Sequence, residues 1–240
     1  MRPSLVDTAE IPAETLASGV TVAPVLDVVG AAGGRLARRL VRLPAGAAYP
    51  GITGPAGELW FVTSGRGVLA AAGHSVPVGP EHGIALPPGA AYRLIAGPAP
   101  RGAGGLAVDA VTLPATAAGT AAGEGLPRVT DLRDCAAEMT GDRRFRVLFG
   151  PATGYPAATQ FVGEIPPGRA PDHRHTYDEL VLVLAGEGVV HLGAATGALR
   201  PGSCVHLPPG QQHCLENTGA AMLRVLGVFQ PGGSPAAKAP

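Results

Sequence analysis

PGRAPDHRHTYDELVLVLAGEG, residues 167–188, sets two histidines one residue apart, a glutamate four residues after the second, and an apolar run that closes on a G-x-G turn. On an extended strand, residues i and i+2 face the same side, so His173 and His175 share a face. The end of this stretch has a counterpart earlier in the chain. ELWFVTSGRGV (Glu58 to Val68) aligns with ELVLVLAGEGV (Glu179 to Val189), and VGPEHGIALPPGAAYRL (Val78 to Leu94) aligns with LRPGSCVHLPPGQQHCL (Leu199 to Leu215), both at an offset of 121 residues without a gap. Turn residues and core positions recur together, which marks a duplicated domain. Each copy reads as a strand entering a G-x-G turn, a returning strand, and another strand ending in L-P-P-G. Hairpins in that order close a small antiparallel barrel.

Composition agrees with an all-β reading. Among 240 residues there are 36 glycines and 25 prolines against an aromatic content of 4%, which favours many short strands joined by tight turns. An apolar fraction of 46% allows a substantial core. The expected organisation is an N-terminal barrel over 1–113, a Gly, Ala and Thr-rich linker over 114–127, and a C-terminal barrel over 128–240, with one short helix at about 131–139. The apolar sheet faces of both halves allow them to pack together and leave room for a homodimer.

Formal net charge is zero, with 18 basic and 18 acidic residues and no basic stripe interleaved with aromatics, so neither nucleic acid nor a membrane surface is an expected partner. The apolar runs are too short to span a bilayer and the first residues lack a basic-then-apolar signal pattern, so a cytoplasmic location is expected. Cys135, Cys204 and Cys214 are an odd set without CxxC spacing, read as reduced and mostly buried thiols.

His173, His175 and Glu179 are joined in the second copy by His213, which follows the P-P-G turn. Three imidazoles and one carboxylate from neighbouring strands suit a divalent first-row metal, with positions left for water or substrate. In the first copy the three histidine positions hold Ile52, Gly54 and Tyr92, and only Glu58 keeps its ligand type. A single carboxylate does not hold a transition metal against water, so the first barrel is expected to be metal-free and structural. His74 and His82 fall in turns of that copy and read as solvated, and His191 as a polar residue on a strand.

These residues resemble the cupin family, whose motifs are a Gly followed by H-x-H, Glu and Gly, and G-(x5)-P-x-G-(x2)-H-(x3)-N. Gly202, Pro208, Gly210, His213 and Asn217 match the second motif. Gly168, His173, His175, Glu179 and Gly186 match the first, with one residue fewer than usual between Gly168 and His173. The resemblance implies a bicupin, two jelly-roll β-barrels in one chain. It also implies one divalent transition metal per chain (Fe, Mn, Ni, Cu or Zn) held by the three histidines and Glu179.

Such an ion binds bidentate oxygen ligands, and Glu179 is the candidate proton acceptor. Tyr177 and His206 are the candidate substrate-contacting residues, and the apolar strands around the site predict a greasy cavity. The expected activity is an oxidoreductase of the cupin dioxygenase type acting on a small oxygenated or aromatic metabolite. A non-redox metal cupin (isomerase, lyase or polyketide-type cyclase) and a non-catalytic small-molecule binding module are the alternatives.

Overall fold

The structure is a computed structural model that describes residues 4–30, 33–99, 104–114 and 126–237. It is built almost entirely of antiparallel strands and divides into two compact units, residues 11–134 and residues 1–10 with 135–240. No helix among the described residues is long and apolar enough to cross a membrane.

The repeat seen in the sequence is carried into the strands residue for residue. Gly67–Ala71, His74–Val78 and His82–Leu86 of the first unit recur as Gly188–Leu192, Ala195–Leu199 and Ser203–Leu207 in the second, each 121 residues on. In the second unit, a seven-stranded sheet runs Ser4–Asp7, Ser203–Leu207, Asp178–Ala185, Leu223–Gln230, Thr159–Ile165, Arg143–Phe149, Ala137–Thr140. Its four-stranded sheet runs Gly168–Arg169, His213–Asn217, Gly188–Leu192, Ala195–Leu199. The first unit repeats both sheets with the corresponding strands. Between the two sheets of the second unit lie Val181, Val183, Val190, Val205, Leu207 and Val225, and between those of the first lie Trp60, Val62, Leu69, Ile84 and Leu94. Burial of these apolar side chains, at about 25 cal/mol per Å² removed from water, is what holds each barrel closed.

The G-x-G turns show why those glycines recur. Gly65 and Gly186 have φ of +78° and +84°, a left-handed backbone that side chains disfavour. The second glycine of each turn is fixed by space: a Cβ on Gly67 would lie 2.2 Å from the Ile95 carbonyl oxygen, and one on Gly188 would lie 2.1 Å from that of Glu216.

Three expectations need correction. The barrel boundaries shift, because each unit takes its outer strand from the segment that leads into the other repeat. Ser4–Asp7 pairs with Ser203–Leu207 of the C-terminal barrel, with Asp7 opposite Ser203. Arg128–Asp131 pairs with His82–Leu86 of the N-terminal barrel, with Asp131 opposite His82. Both leading strands end alike, on an aspartate whose carboxylate accepts the N–H two residues on, at 2.9 Å from Ala9 and from Arg133. The cause is the bare edge left by the Ser203–Leu207 and His82–Leu86 strands, whose unpaired backbone groups need a partner.

Second, the helix expected at 131–139 is one 3₁₀ turn, Leu132–Asp134, followed by the strand Ala137–Thr140. That segment is too short to repay helix nucleation when sheet pairing is on offer. Third, His82 is only partly exposed and is held in place, its Nε2 3.2 Å from Asp131 on the leading strand and its Nδ1 accepting from Gly79 N–H at 3.3 Å. The linker expected at 114–127 lies, apart from residues 114, 126 and 127, outside the described residues. The three cysteines form no disulfide, and Cys204 and Cys214 are buried.

Candidate metal centre

The H-x-H pair and the P-x-G-x-x-H turn meet through the backbone before any side chain is considered. His173 N–H donates to the His213 carbonyl at 3.0 Å and His213 N–H returns the bond to His173 at 2.9 Å. Gly210 N–H, inside the P-P-G turn, donates to the His175 carbonyl at 2.8 Å. These bonds tie the loop after Arg169 to the strand His213–Asn217, so the three imidazoles gather although about forty residues separate them in sequence.

The potential ligand atoms of His173, His175 and His213 all lie within 4.8 Å of one another. Glu179 joins them from the central strand Asp178–Ala185, its Oε2 3.2 Å from His175 Nε2. His173 Nδ1 lies 3.1 Å from the Pro171 carbonyl and His213 Nδ1 2.8 Å from that of Gln211. A carbonyl only accepts, so Nδ1 carries the proton in both rings and Nε2 keeps the lone pair a metal needs.

The electrostatics favour the same protonation states. Burial, reinforced by the neighbouring His213 ring, pulls the His173 pKa down to about 4, and burial also lowers that of His213. Both rings therefore stay neutral at neutral pH. Burial alone would push the Glu179 carboxyl up, but the bond from His175 and the fields of the three imidazoles outweigh it and hold the carboxyl below its ordinary range. Three imidazoles and one carboxylate at one locus are a donor set that fits a divalent first-row ion.

The cluster opens onto a cavity of about 90 Å³. Phe145, Phe161, Val181, Leu207, Leu215 and Val225 form its apolar wall, in keeping with the greasy interior expected, and Arg143, Arg144 and Glu164 stand on its lining as well. Residues 161–229 match the family model described as "Cupin domain". The chain carries a cupin domain.

Solved structures with the same two-barrel fold include a protein from Pseudomonas aeruginosa described as glyoxylate-induced, at 16% identity and a TM-score of 0.78, covering 98% of this chain and 92% of that one. The E. coli protein Ylba matches at 11% identity and a TM-score of 0.76, over 97% of this chain and 93% of its own. Bacillus subtilis oxalate decarboxylase, a protein with Mn(II) centres, matches at 13% identity and a TM-score of 0.76, over 100% of this chain and 79% of its own. No curated protein matches the sequence.

The remaining motif residue of this cupin domain, Asn217, is structural. Its Nδ2 donates to the carbonyls of Ile165 at 2.8 Å and Ala221 at 2.7 Å, and its Oδ1 accepts from Gly219 N–H at 3.0 Å. Asn217→Ala would orphan these buried groups at a cost of about 1–3 kcal/mol. We expect a matching fall in unfolding free energy in urea, with metal stoichiometry unchanged.

Two expected substrate contacts are not on the cavity. Tyr177 stands behind the site, stacked on His175 with ring centroids 4.6 Å apart and on Phe229 at 4.2 Å, where it backs a ligand ring. His206 faces away from the cavity. Leu207 points into the barrel, so the alternation of the strand sends His206 to the opposite face, where its Nε2 meets Asp178 Oδ1 at 2.9 Å. Cavity residues that the sequence reading did not single out include Arg143, Arg144 and Phe145. The R-R-F-R run held a signal: if Phe145 faces the core, Arg143, two residues before it, does too.

In the first barrel the corresponding carboxylate is held by other side chains. Glu58, the counterpart of Glu179, accepts from Arg39 Nη2 at 2.6 Å and from Trp60 Nε1 at 2.6 Å. In the strand ladders Arg39 lies opposite Ala110, two positions from Thr112, which is opposite Glu58. Phe161 lies opposite Gly227 in the same relation to Phe229 and Glu179. Arg39 thus stands where the cupin domain has Phe161, and its guanidinium supplies to Glu58 the positive charge that an ion would supply to Glu179. Ile52, Gly54 and Tyr92 stand at the histidine positions, so Glu58 lacks the imidazoles that surround Glu179.

Proposed function

We propose that the C-terminal barrel holds one divalent transition metal through His173, His175, His213 and Glu179, and acts as a metal-dependent oxidoreductase of the cupin dioxygenase type on a small oxygenated metabolite. The observation that carries this reading is the convergence of three imidazoles and a buried carboxylate on a largely apolar cavity. A bound ion of the Fe, Mn, Ni, Cu or Zn kind supplies Lewis acidity to a coordinated oxygen and, where redox-active, a site for O₂.

The chain's own residues do the rest. His173 and His213 are fixed by their Nδ1 bonds to carbonyls, which presents Nε2 without reorganisation. Tyr177 and Phe229 brace the His175 ring from behind. The apolar wall lowers the polarity around the site, and Glu179 Oε2 is the group placed to accept a proton from a ligand in the cavity. The active form is a single chain or a homodimer, with the first barrel as scaffold.

Oxygen consumption by metal-loaded protein with phenolic, diketone and hydroxy-acid compounds tests the proposal. Uptake that is stoichiometric with substrate lost is the expected result. A non-redox metal cupin is the second reading, favoured by the presence of a decarboxylase with Mn(II) centres among the structural neighbours. Turnover that proceeds unchanged under argon would decide for it.

A further inference from the structure

Among the described residues, Arg143 is the one cavity-lining charge that the metal centre and the surface ion pairs leave uncommitted. Arg144 is spent on Glu164, whose carboxylate it meets through Nε and Nη2, and Glu164 also faces Arg224 at 3.6 Å. Glu179 belongs to the histidine cluster. Arg143 shares the inward face of its strand with Phe145, its Nε is buried without a hydrogen-bond partner, and no carboxylate among the described residues pairs with it. A guanidinium is always charged, and a buried Nε–H without an acceptor on the lining of a largely apolar cavity leaves a donor for an oxygen of a ligand.

The charges facing the cavity can be summed. With a divalent ion in place, Glu179 leaves one positive charge at the histidine end, and Arg143 adds a second on the lining. The space between is bounded by Phe145, Phe161, Val181 and Leu207, and the whole cavity is about 90 Å³. A ligand that satisfies this arrangement is small and anionic, with oxygen atoms for both the guanidinium and the histidine end. We infer that Arg143 selects a small carboxylate, of the 2-hydroxy or 2-oxo acid class, by pairing its guanidinium with a negatively charged oxygen of the ligand. The role at the ion rests on the metal reading above, whereas the pairing with Arg143 is measurable without it.

Lactate and its neutral isostere lactamide separate the two. Each is titrated calorimetrically into wild-type protein and into Arg143→Met and Arg143→Lys, both metal-loaded and metal-stripped, with metal content measured on the same samples. Wild type is expected to bind lactate at least tenfold more tightly than lactamide. Arg143→Met should bring that ratio within about twofold of unity while keeping one metal per chain, and Arg143→Lys, which keeps the charge but loses the fork, should fall between. An acid-over-amide preference that survives in Arg143→Met, or is absent from wild type, overturns the inference. Failure to take up metal, with the preference and its dependence on Arg143 intact, overturns the metal reading and leaves the pairing standing.

Discussion

His175→Ala lowers the affinity for a divalent transition metal by one or more orders of magnitude, as read by competition with a chromophoric chelator, whereas Glu58→Gln leaves bound metal unchanged. His175 brings its Nε2 to 3.2 Å from Glu179 and shares the cluster with His173 and His213, so its loss removes one donor of four. Glu58 occupies the matching position but is bonded to Arg39 and Trp60, and neutralising it is felt only as a loss of those bonds, about 1–3 kcal/mol of stability. Glu179→Gln is the sharper variant, because it keeps the shape of the side chain and deletes its charge and basicity. Metal retained at reduced affinity with turnover largely gone is the result expected of a ligand that also accepts a proton. Full turnover in that variant would remove the proton-handling role.

Gly188→Ala costs at least about 3 kcal/mol of unfolding free energy, at the upper end of what overpacking a well-packed interior usually exacts. The added methyl would sit 2.1 Å from the Glu216 carbonyl oxygen, a backbone atom of the neighbouring strand that cannot step aside without moving the ladder. That ladder joins Gly188–Leu192 to His213–Asn217, and Leu192 lies opposite His213, so the strain reaches a histidine of the candidate metal centre. Gly193→Ala is the control. Its φ of +65° carries the ordinary penalty of about 1 kcal/mol, but its Cβ meets nothing within 4 Å. Chemical denaturation of the two variants beside wild type checks the contrast. Equal losses would show that backbone conformation, rather than the close approach of the strands, sets the cost.

The repeat and the clustering of His173, His175, His213 and Glu179 were legible in the sequence because both depend on short-range rules. The G-x-G and L-P-P-G turns demand particular backbone at fixed spacing, and H-x-H places two rings on one face of an extended segment. Long-range pairing was not legible. Nothing local in Ser4–Asp7 says that it completes the C-terminal barrel, since four extended residues serve equally well on either edge and only the register onto Ser203–Leu207 decides. His206 was ambiguous for a related reason: alternation tells which residues share a face but not which face is inside. Arg143 was hidden because its position on the cavity depends on Phe145 facing the core, and its lack of a partner depends on Glu164 having been taken by Arg144. The loss of the first site was visible as missing histidines, but its replacement by Arg39 came from the strand at Arg35–Leu43, outside the aligned stretch.

The most direct test of a single metal centre in the C-terminal barrel is the metal-to-chain ratio, measured by elemental analysis on wild type, Glu58→Gln and His175→Ala after loading with one divalent ion and gel filtration. We predict a ratio near one for wild type and Glu58→Gln and near zero for His175→Ala. A ratio near two in wild type, or one that His175→Ala leaves unchanged, would contradict the account.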